Sequence, residues 1–138
     1  MNASLQQFAP LLGRVLIALL FIPAGLGKIG DFQGAAGYIA AAGVPLPAVA
    51  AVVTILVEVG VAAALLMGWQ TRWAALILAL FTLAAALIFH AFWASPPDQK
   101  TMQSINFFKN LAIVGGLLFV AAHGAGPYSV DGKRGLRG

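Results

Sequence analysis

Residues 48–68 read AVAAVVTILVEVGVAAALLMG, an apolar run interrupted by one ionisable side chain, Glu58, near its middle. A helix needs about twenty mostly apolar residues to cross the hydrocarbon core of a bilayer. A carboxylate inside such a helix is costly to leave in hydrocarbon and is expected to face protein or a polar cavity. The run therefore predicts a membrane span with an inward-facing functional position. Three further runs of the same kind lie outward from it, at 8–29, 73–93 and 105–123. The expected fold class is all-α: an integral membrane four-helix bundle, one domain over residues 1–138, with a short interfacial helix between helices 1 and 2.

The separators give the topology. Trp69–Arg72 is a tight turn, so the middle two spans form an antiparallel hairpin, while residues 94–104 are polar and residues 124–138 form a Gly-rich tail. Residues 31–42 mix Phe32, Tyr38 and Ile39 with small and polar residues and stop at Pro45 and Pro47, which suits a helix lying along the membrane surface. Trp69, Trp73 and Trp93 fall at predicted span ends, where indole rings are stable at headgroup level. Four spans put both termini on one side. That side carries Arg14, Arg72, Lys133, Arg134 and Arg137 against Lys28, Lys100 and Lys109 on the other, so positive-inside counting places both termini in the cytoplasm. No internal repeat of fixed period is visible.

Composition agrees and narrows the function classes. Of 138 residues 61% are hydrophobic and 9% charged, against about a quarter charged in soluble domains. Lipid is the first partner implied. The net charge of +4 does not point to nucleic acid, because the basic residues are scattered and lack interleaved aromatics. Only Lys133, Arg134 and Arg137 cluster, in the manner of tails that meet anionic headgroups. The absence of cysteine excludes disulfides, thiolate catalysis, iron–sulfur ligation and CxxC relays. Residues Met1–Gln7 carry no Lys or Arg and the following run is too long for a signal-peptide core, so the first segment is expected to remain as a helix. There is no GxSxG motif and no Ser–His–Asp set outside the tail, where Ser129 and Asp131 suit a turn.

The candidate site is polar and intramembrane: Arg14, Glu58, His90, Lys109 and Asn110, with Lys28, Asn106, His123 and Asp131 as secondary candidates. Steps of three and four place Arg14, Ala18, Phe21, Gly25 and Lys28 on one stripe of the first helix, and Pro23 predicts a kink within it. Ala51, Thr54, Glu58 and Ala62 share a face of the second helix, whereas Gly60, Ala64 and Gly68 form a small-residue stripe for close packing. The third helix offers Ala79, Ala86 and His90, and the fourth Asn106, Lys109, Ile113, Gly116, Val120 and His123. Arg14 and Glu58 differ in depth by about one turn, which predicts an ion pair that either staples helices 1 and 2 or serves function. Lys28 is expected to snorkel to the outer headgroups. For Lys109 snorkelling competes with an inward role beside Asn106 and Asn110. His90 reads as an interfacial histidine, a proton carrier or a ligand, and no metal site is expected because further ligands are lacking. If the tail folds back, Asp131 meets His123 or Arg14.

The ordered features resemble those of the DoxX family of small bacterial inner-membrane proteins. They are Arg14, Gly25-Leu-Gly-Lys28, Gly43-Val-Pro45, Glu58, Lys109-Asn110-Leu, Gly115-Gly116 and the tail Gly124-Ala-Gly-Pro-Tyr-Ser-Val-Asp131. The resemblance runs from about Leu11 to Asp131. It implies a four-helix fold and a link to respiratory or sulfur redox chemistry, since the family is named after a subunit associated with a terminal quinol oxidase and thiosulfate:quinone oxidoreduction. It implies no catalytic residue set.

Two functions follow as expectations. In the first, a redox-associated subunit binds a quinone in the polar seam: Arg14 or Lys109 hydrogen-bonds a carbonyl oxygen, and Glu58 or His90 exchanges the proton. With no electron carrier of its own, the chain would act with a redox-enzyme partner subunit. In the alternative, it is a small membrane transporter or an assembly scaffold for another membrane protein, as a homo-oligomer or in a larger complex.

Overall fold

The computed structural model describes residues 3–135; Arg137, which entered the charge count, and Met1 and Asn2, which entered the reading of the first segment, lie outside the described residues. Helix α1 spans Ala3–Gly30 and continues through both Pro10 and Pro23. A short helix, α2 (Phe32–Ala41), follows at once, capped by the Asp31 carboxylate, which accepts from the Gly34 N–H at 2.9 Å. The chain then turns through Gly43 and Leu46, both at positive φ, into the second span.

That span is not one regular helix. It opens as α3 (Pro47–Ile55) with Pro47 in its first turn, widens into a π-helical segment at Leu56–Val61, and ends as α4 (Ala62–Met67). Such π segments are rare and concentrate at functional sites, and this one contains Glu58. Gly68 closes α4 in the left-handed conformation, its N–H and that of Trp69 bonding back to the carbonyls of Leu65 and Ala64. Helix α5 (Thr71–Phe89) starts immediately, so the tight turn is real. A 3₁₀ turn at Phe92–Ala94 leads to α6 (Pro97–His123), and the tail ends in α7 (Val130–Lys133).

Among the described residues four helices are long and apolar enough to cross a membrane: Ser4–Gly30, Pro47–Met67, Thr71–Ala94 and Pro97–His123. No strand is present among the described residues. The fourth helix begins well ahead of the apolar run at 105–123. At about 1.5 Å per residue its 27 residues exceed a hydrocarbon core of about 30 Å, so its polar first turns need not be in lipid.

Helix α1 packs on the second span, the second span on α5, and α5 most extensively on α6. Phe21, Ala62, Leu65, Ala74, Ala75, Leu78, Ala79 and Leu117 form the core. Alanines dominate it because, with no hydrophobic drive between helices in lipid, close backbone approach supplies the packing. Large apolar side chains such as Leu12, Leu16, Leu19 and Leu80 point outward, the inverse of a soluble protein.

The first two stripes are the inward ones. Arg14, Ala18, Phe21 and Gly25 are buried, as are Ala51, Glu58 and Ala62. Two expectations are corrected. Gly60 meets no atom within 4 Å of where a Cβ would stand and is exposed, so Gly60, Ala64 and Gly68 do not form a helix-packing stripe within this chain. The close approach is at Gly25, where an added Cβ would lie 2.6 Å from Val59 Cγ2 and 2.9 Å from Glu58 Cβ. On α6 the expected stripe is split: Ile113 and Val120 pack against the core, but Lys109, Gly116 and His123 are exposed, because the helix also turns Gln103, Asn110, Val114 and Leu117 inward.

Candidate functional site

The sequence grouped its charged residues into one seam, and the structure divides them between two places. At the end of the bundle that carries both termini, Arg14 is 1% exposed. It donates through Nη1 to the Leu66 carbonyl at 2.6 Å, with a longer contact to Leu65 O at 3.4 Å, and through Nη2 to Tyr128 O at 2.5 Å. The Leu65 and Leu66 carbonyls belong to the last turn of α4, where helical partners run out. Arg14 thus caps a helix and holds the tail.

Asp131 completes the same latch from the other side of the turn. Its carboxylate accepts from the N–H groups of Gln70 (3.0 Å) and Thr71 (2.9 Å) and from Thr71 Oγ1 (2.7 Å), which caps the start of α5. Its own N–H donates to Gly68 O at 2.9 Å. Burial pushes the Asp131 carboxyl up, but the hydrogen bonds from Thr71 and Gln70, with Arg134 nearby, outweigh it and hold it below the usual carboxylate value. The expected contact of Asp131 with His123 or Arg14 gives way to this cap: backbone N–H groups at a helix start satisfy a carboxylate without desolvating a second charge. Ser129 shapes the turn, accepting from Gly132 N–H at 2.9 Å and donating to Gly126 O at 2.6 Å.

The expected Arg14–Glu58 ion pair does not form. Glu58 pairs instead with Lys28, Nζ lying 2.7 Å from Oε2 and 3.1 Å from Oε1. Lys28 does not snorkel to the headgroups; its side chain is 30% exposed and that of Glu58 9%. The geometry follows from the π segment, which turns Glu58 toward α1, and from Gly25, which lets α1 approach one turn before Lys28.

This pair lines a cavity of about 790 Å³ between α1, α2, the second span, α5 and α6. Its walls are mostly apolar, with Phe21, Ile39, Val53, Phe81, Ile88 and Phe89 among them; the polar groups are Lys28, Glu58, Thr54, Thr82, Asp31, Tyr38, His90 and Asn110. His90 ends α5, and its Nδ1 lies 2.8 Å from Gln103 Oε1 of α6. Tyr38 of α2 stacks on Phe89 with centroids 5.2 Å apart, so α2 covers one side of the space. Thr82 donates to the Leu78 carbonyl within its own helix.

Of the sequence candidates, Glu58, His90, Asn110 and Lys28 share the cavity. Lys109 and Asn106 bond to each other at 3.1 Å on the outer face of α6, and exposed His123 stacks on Phe119 and reaches its carbonyl at 3.0 Å. Arg14 and Lys109 are therefore withdrawn as partners of a carbonyl ligand here. Gln103 and Tyr38 join the site, and nothing in their sequence surroundings marked them. No group of three or more His, Cys, Asp or Glu able to hold a metal is found among the described residues.

The DoxX family profile matches residues 9–91, which include Arg14, Lys28, Glu58 and His90. The chain belongs to the DoxX family. It is similar to inner membrane protein YqjF of Escherichia coli K12, 42% identical over 92% of both chains. It is also similar to inner membrane protein YphA of the same organism, 36% identical over 88% of this chain and 86% of that one. A Surfeit locus protein 4 homolog of Schizosaccharomyces pombe is 30% identical over 94% of this chain but only 38% of its own length. No solved structure matches. With four apolar helices and these relatives, this DoxX protein is a multi-pass inner-membrane protein.

The cavity of this DoxX protein offers a defined chemistry. An ammonium has three donors, and Glu58 takes the two short contacts of Lys28, leaving a weak 3.4 Å contact to Ala24 O within α1. A ligand oxygen is a better acceptor for that third donor. Glu58 and His90, side chains of the types used in general acid–base chemistry, lie on the cavity's mostly apolar lining.

Proposed function

We propose that the cavity binds a quinone-class ligand, its carbonyl oxygen accepting from Lys28 and its ring and tail lying against the apolar walls. The observation that carries this reading is the Lys28–Glu58 pair set in a cavity of about 790 Å³. That volume lies within the range of small-molecule pockets, and an apolar lining with a few convergent polar groups is their usual build. A quinone takes up two protons with two electrons; in this reading Glu58 and His90 relay them, each taking a proton from water before passing it to the ligand. The electrons come from a redox-enzyme partner, in keeping with the chemistry that the family resemblance implies. Both termini then face the cytoplasm by the charge count, with the cavity toward the opposite surface.

Detergent-purified protein should carry quinone detectable by extraction and mass spectrometry. Stripped protein should bind a short-chain quinone, with Lys28→Met and Glu58→Gln each weakening binding about tenfold or more, as loss of a charged hydrogen bond of about 1.5–3 kcal/mol requires. Absence of quinone together with no binding on titration rejects the reading.

One observation favours the assembly reading as well. Helix α6 is held mainly by α5, and its outer face exposes Gly115 and Gly116, with no atom within 4 Å of where a methyl would stand at either. Such a face suits close approach of another membrane helix. Cross-linking from positions on this face in native membranes tests it; only lipid adducts there would reject it.

A further inference from the structure

We propose that the end of the bundle bearing the termini holds a built site for the headgroup of an anionic phospholipid, formed by Arg72, Lys133 and Arg134 around the Asp131 latch. The charge distribution is lopsided. Among the described residues that end carries Arg14, Arg72, Lys133 and Arg134 against Asp131 alone, whereas the opposite end balances Lys28, Lys100 and Lys109 against Asp31, Glu58 and Asp98.

The three outer cations are exposed, and the one ion pair among the described residues is that of Lys28 with Glu58. Asp131 forms no ion pair with them, its oxygens accepting from Gln70 and Thr71, and its single charge offsets only part of theirs. The same bonds do the positioning. Thr71 precedes Arg72, and Asp131 precedes Lys133 on α7 and Arg134 at its end, so tying Asp131 to Thr71 holds these two cations beside the start of α5. The tail is held a second time through Arg14 on Tyr128 O and through Phe8 stacked on Tyr128 at 4.9 Å.

Trp69 and Trp73, both exposed, flank Arg72 and mark headgroup depth. A phosphodiester carrying an acyl tail complements this arrangement: its charge meets the cations while its chains follow the outward apolar face of α5.

The full chain in nanodiscs provides the test, in a Trp93→Phe background that removes the indole of the opposite end. Brominated phosphatidylglycerol at about a quarter of the lipid should quench Trp69 and Trp73 as if enriched about fivefold over brominated phosphatidylcholine, the scale expected for roughly one effective cation. The enrichment should fall to unity in R72Q/K133Q/R134Q with its melting midpoint retained, and should shrink with salt. Asp131→Asn separates a built site from a diffuse field. It adds one positive charge to this end, so simple attraction predicts more enrichment, whereas loosening α7 predicts less. Equal quenching by the two lipids, a preference that survives the triple variant, or a rise in Asp131→Asn overturns the proposal. So does displacement of the lipid by millimolar inorganic phosphate, which would make free phosphate the ligand.

Discussion

Arg14 and Lys28 stand on one face of α1, about 21 Å apart along its axis, and they solve the same problem in opposite ways. Both are cations in a segment that crosses hydrocarbon. Arg14 is enclosed and donates through both terminal nitrogens to backbone carbonyls of α4 and the tail, with only its buried Nε left without a partner; its planar fork reaches two chain segments at once, which a single ammonium cannot do. Lys28 is partly exposed, paired with one carboxylate, and keeps its third donor on a weak contact beside a cavity. The first arrangement commits both terminal nitrogens to backbone and lies away from the cavity, so it gives a ligand no access. The second does, and that difference separates structural from binding charge more reliably than depth in the membrane.

The largest break in this comparison should come from Arg14→Met. It keeps an apolar side chain of similar length but leaves the Leu66 and Tyr128 carbonyls without their donor. Hydrogen bonds to charged groups contribute about 1.5–3 kcal/mol each, so a loss of about 3 kcal/mol or more is expected in reversible unfolding from detergent micelles. Arg14→Lys should recover less than half of it. Wild-type stability in Arg14→Met would remove the latch from the account.

Gly25→Ala should come next, at about 1–3 kcal/mol, because its methyl would collide with Val59 and Glu58 where α1 meets the π segment. Ligand affinity should fall with it, since Glu58 must move. Gly60→Ala, on the same π segment but facing open space, is the control and should change stability by no more than about 0.5 kcal/mol. If the two variants behave alike, close approach at Gly25 does not set the site.

For the ion pair, Lys28→Met and Glu58→Gln are each expected to cost about 1–2 kcal/mol, discounted for the exposure of the lysine. The double variant should regain part of that loss while binding no ligand. A double-mutant cycle reads the coupling directly, and a coupling near zero would reduce the pair to two independent polar residues.

How much of this was legible in the sequence follows from what each inference needed. Apolar runs and helical spacing need only local chemistry, and they yielded four spans, the tight turn at Trp69–Arg72 and the inward stripes of α1 and the second span. Pairing needed more. Depth counted from the predicted span ends made Arg14 the partner of Glu58, but Arg14 and Lys28 share a face of α1, and the close approach at Gly25 sets Glu58 level with Lys28 instead. On α6 spacing left Lys109 open between the headgroups and the interior; it is exposed, while Asn110, itself a sequence candidate, and Gln103 are the residues that turn in. The tail was hardest to read. Asp131 acts on backbone N–H groups, and backbone partners leave no mark in a sequence.

Asp131 also gives the smallest and most specific effect. Asp131→Asn keeps the shape but weakens the cap on α5, and loss of such a cap costs about 1 kcal/mol. The carboxyl titrates lower in the folded protein than in the unfolded chain, so its contribution is fully present above the unfolded value and disappears as pH falls through the folded one. Stability of the wild type should therefore drop on that acidic limb by more than that of Asp131→Asn, the two curves converging at the lowest pH. The ligand affinity of the cavity should be unchanged in this variant at neutral pH, since Asp131 sits at the other end of the bundle. Parallel stability curves would mean that the hydrogen bonds from Gln70 and Thr71 do not distinguish the folded carboxylate from the unfolded one, and the terminal latch would then rest on Arg14 alone.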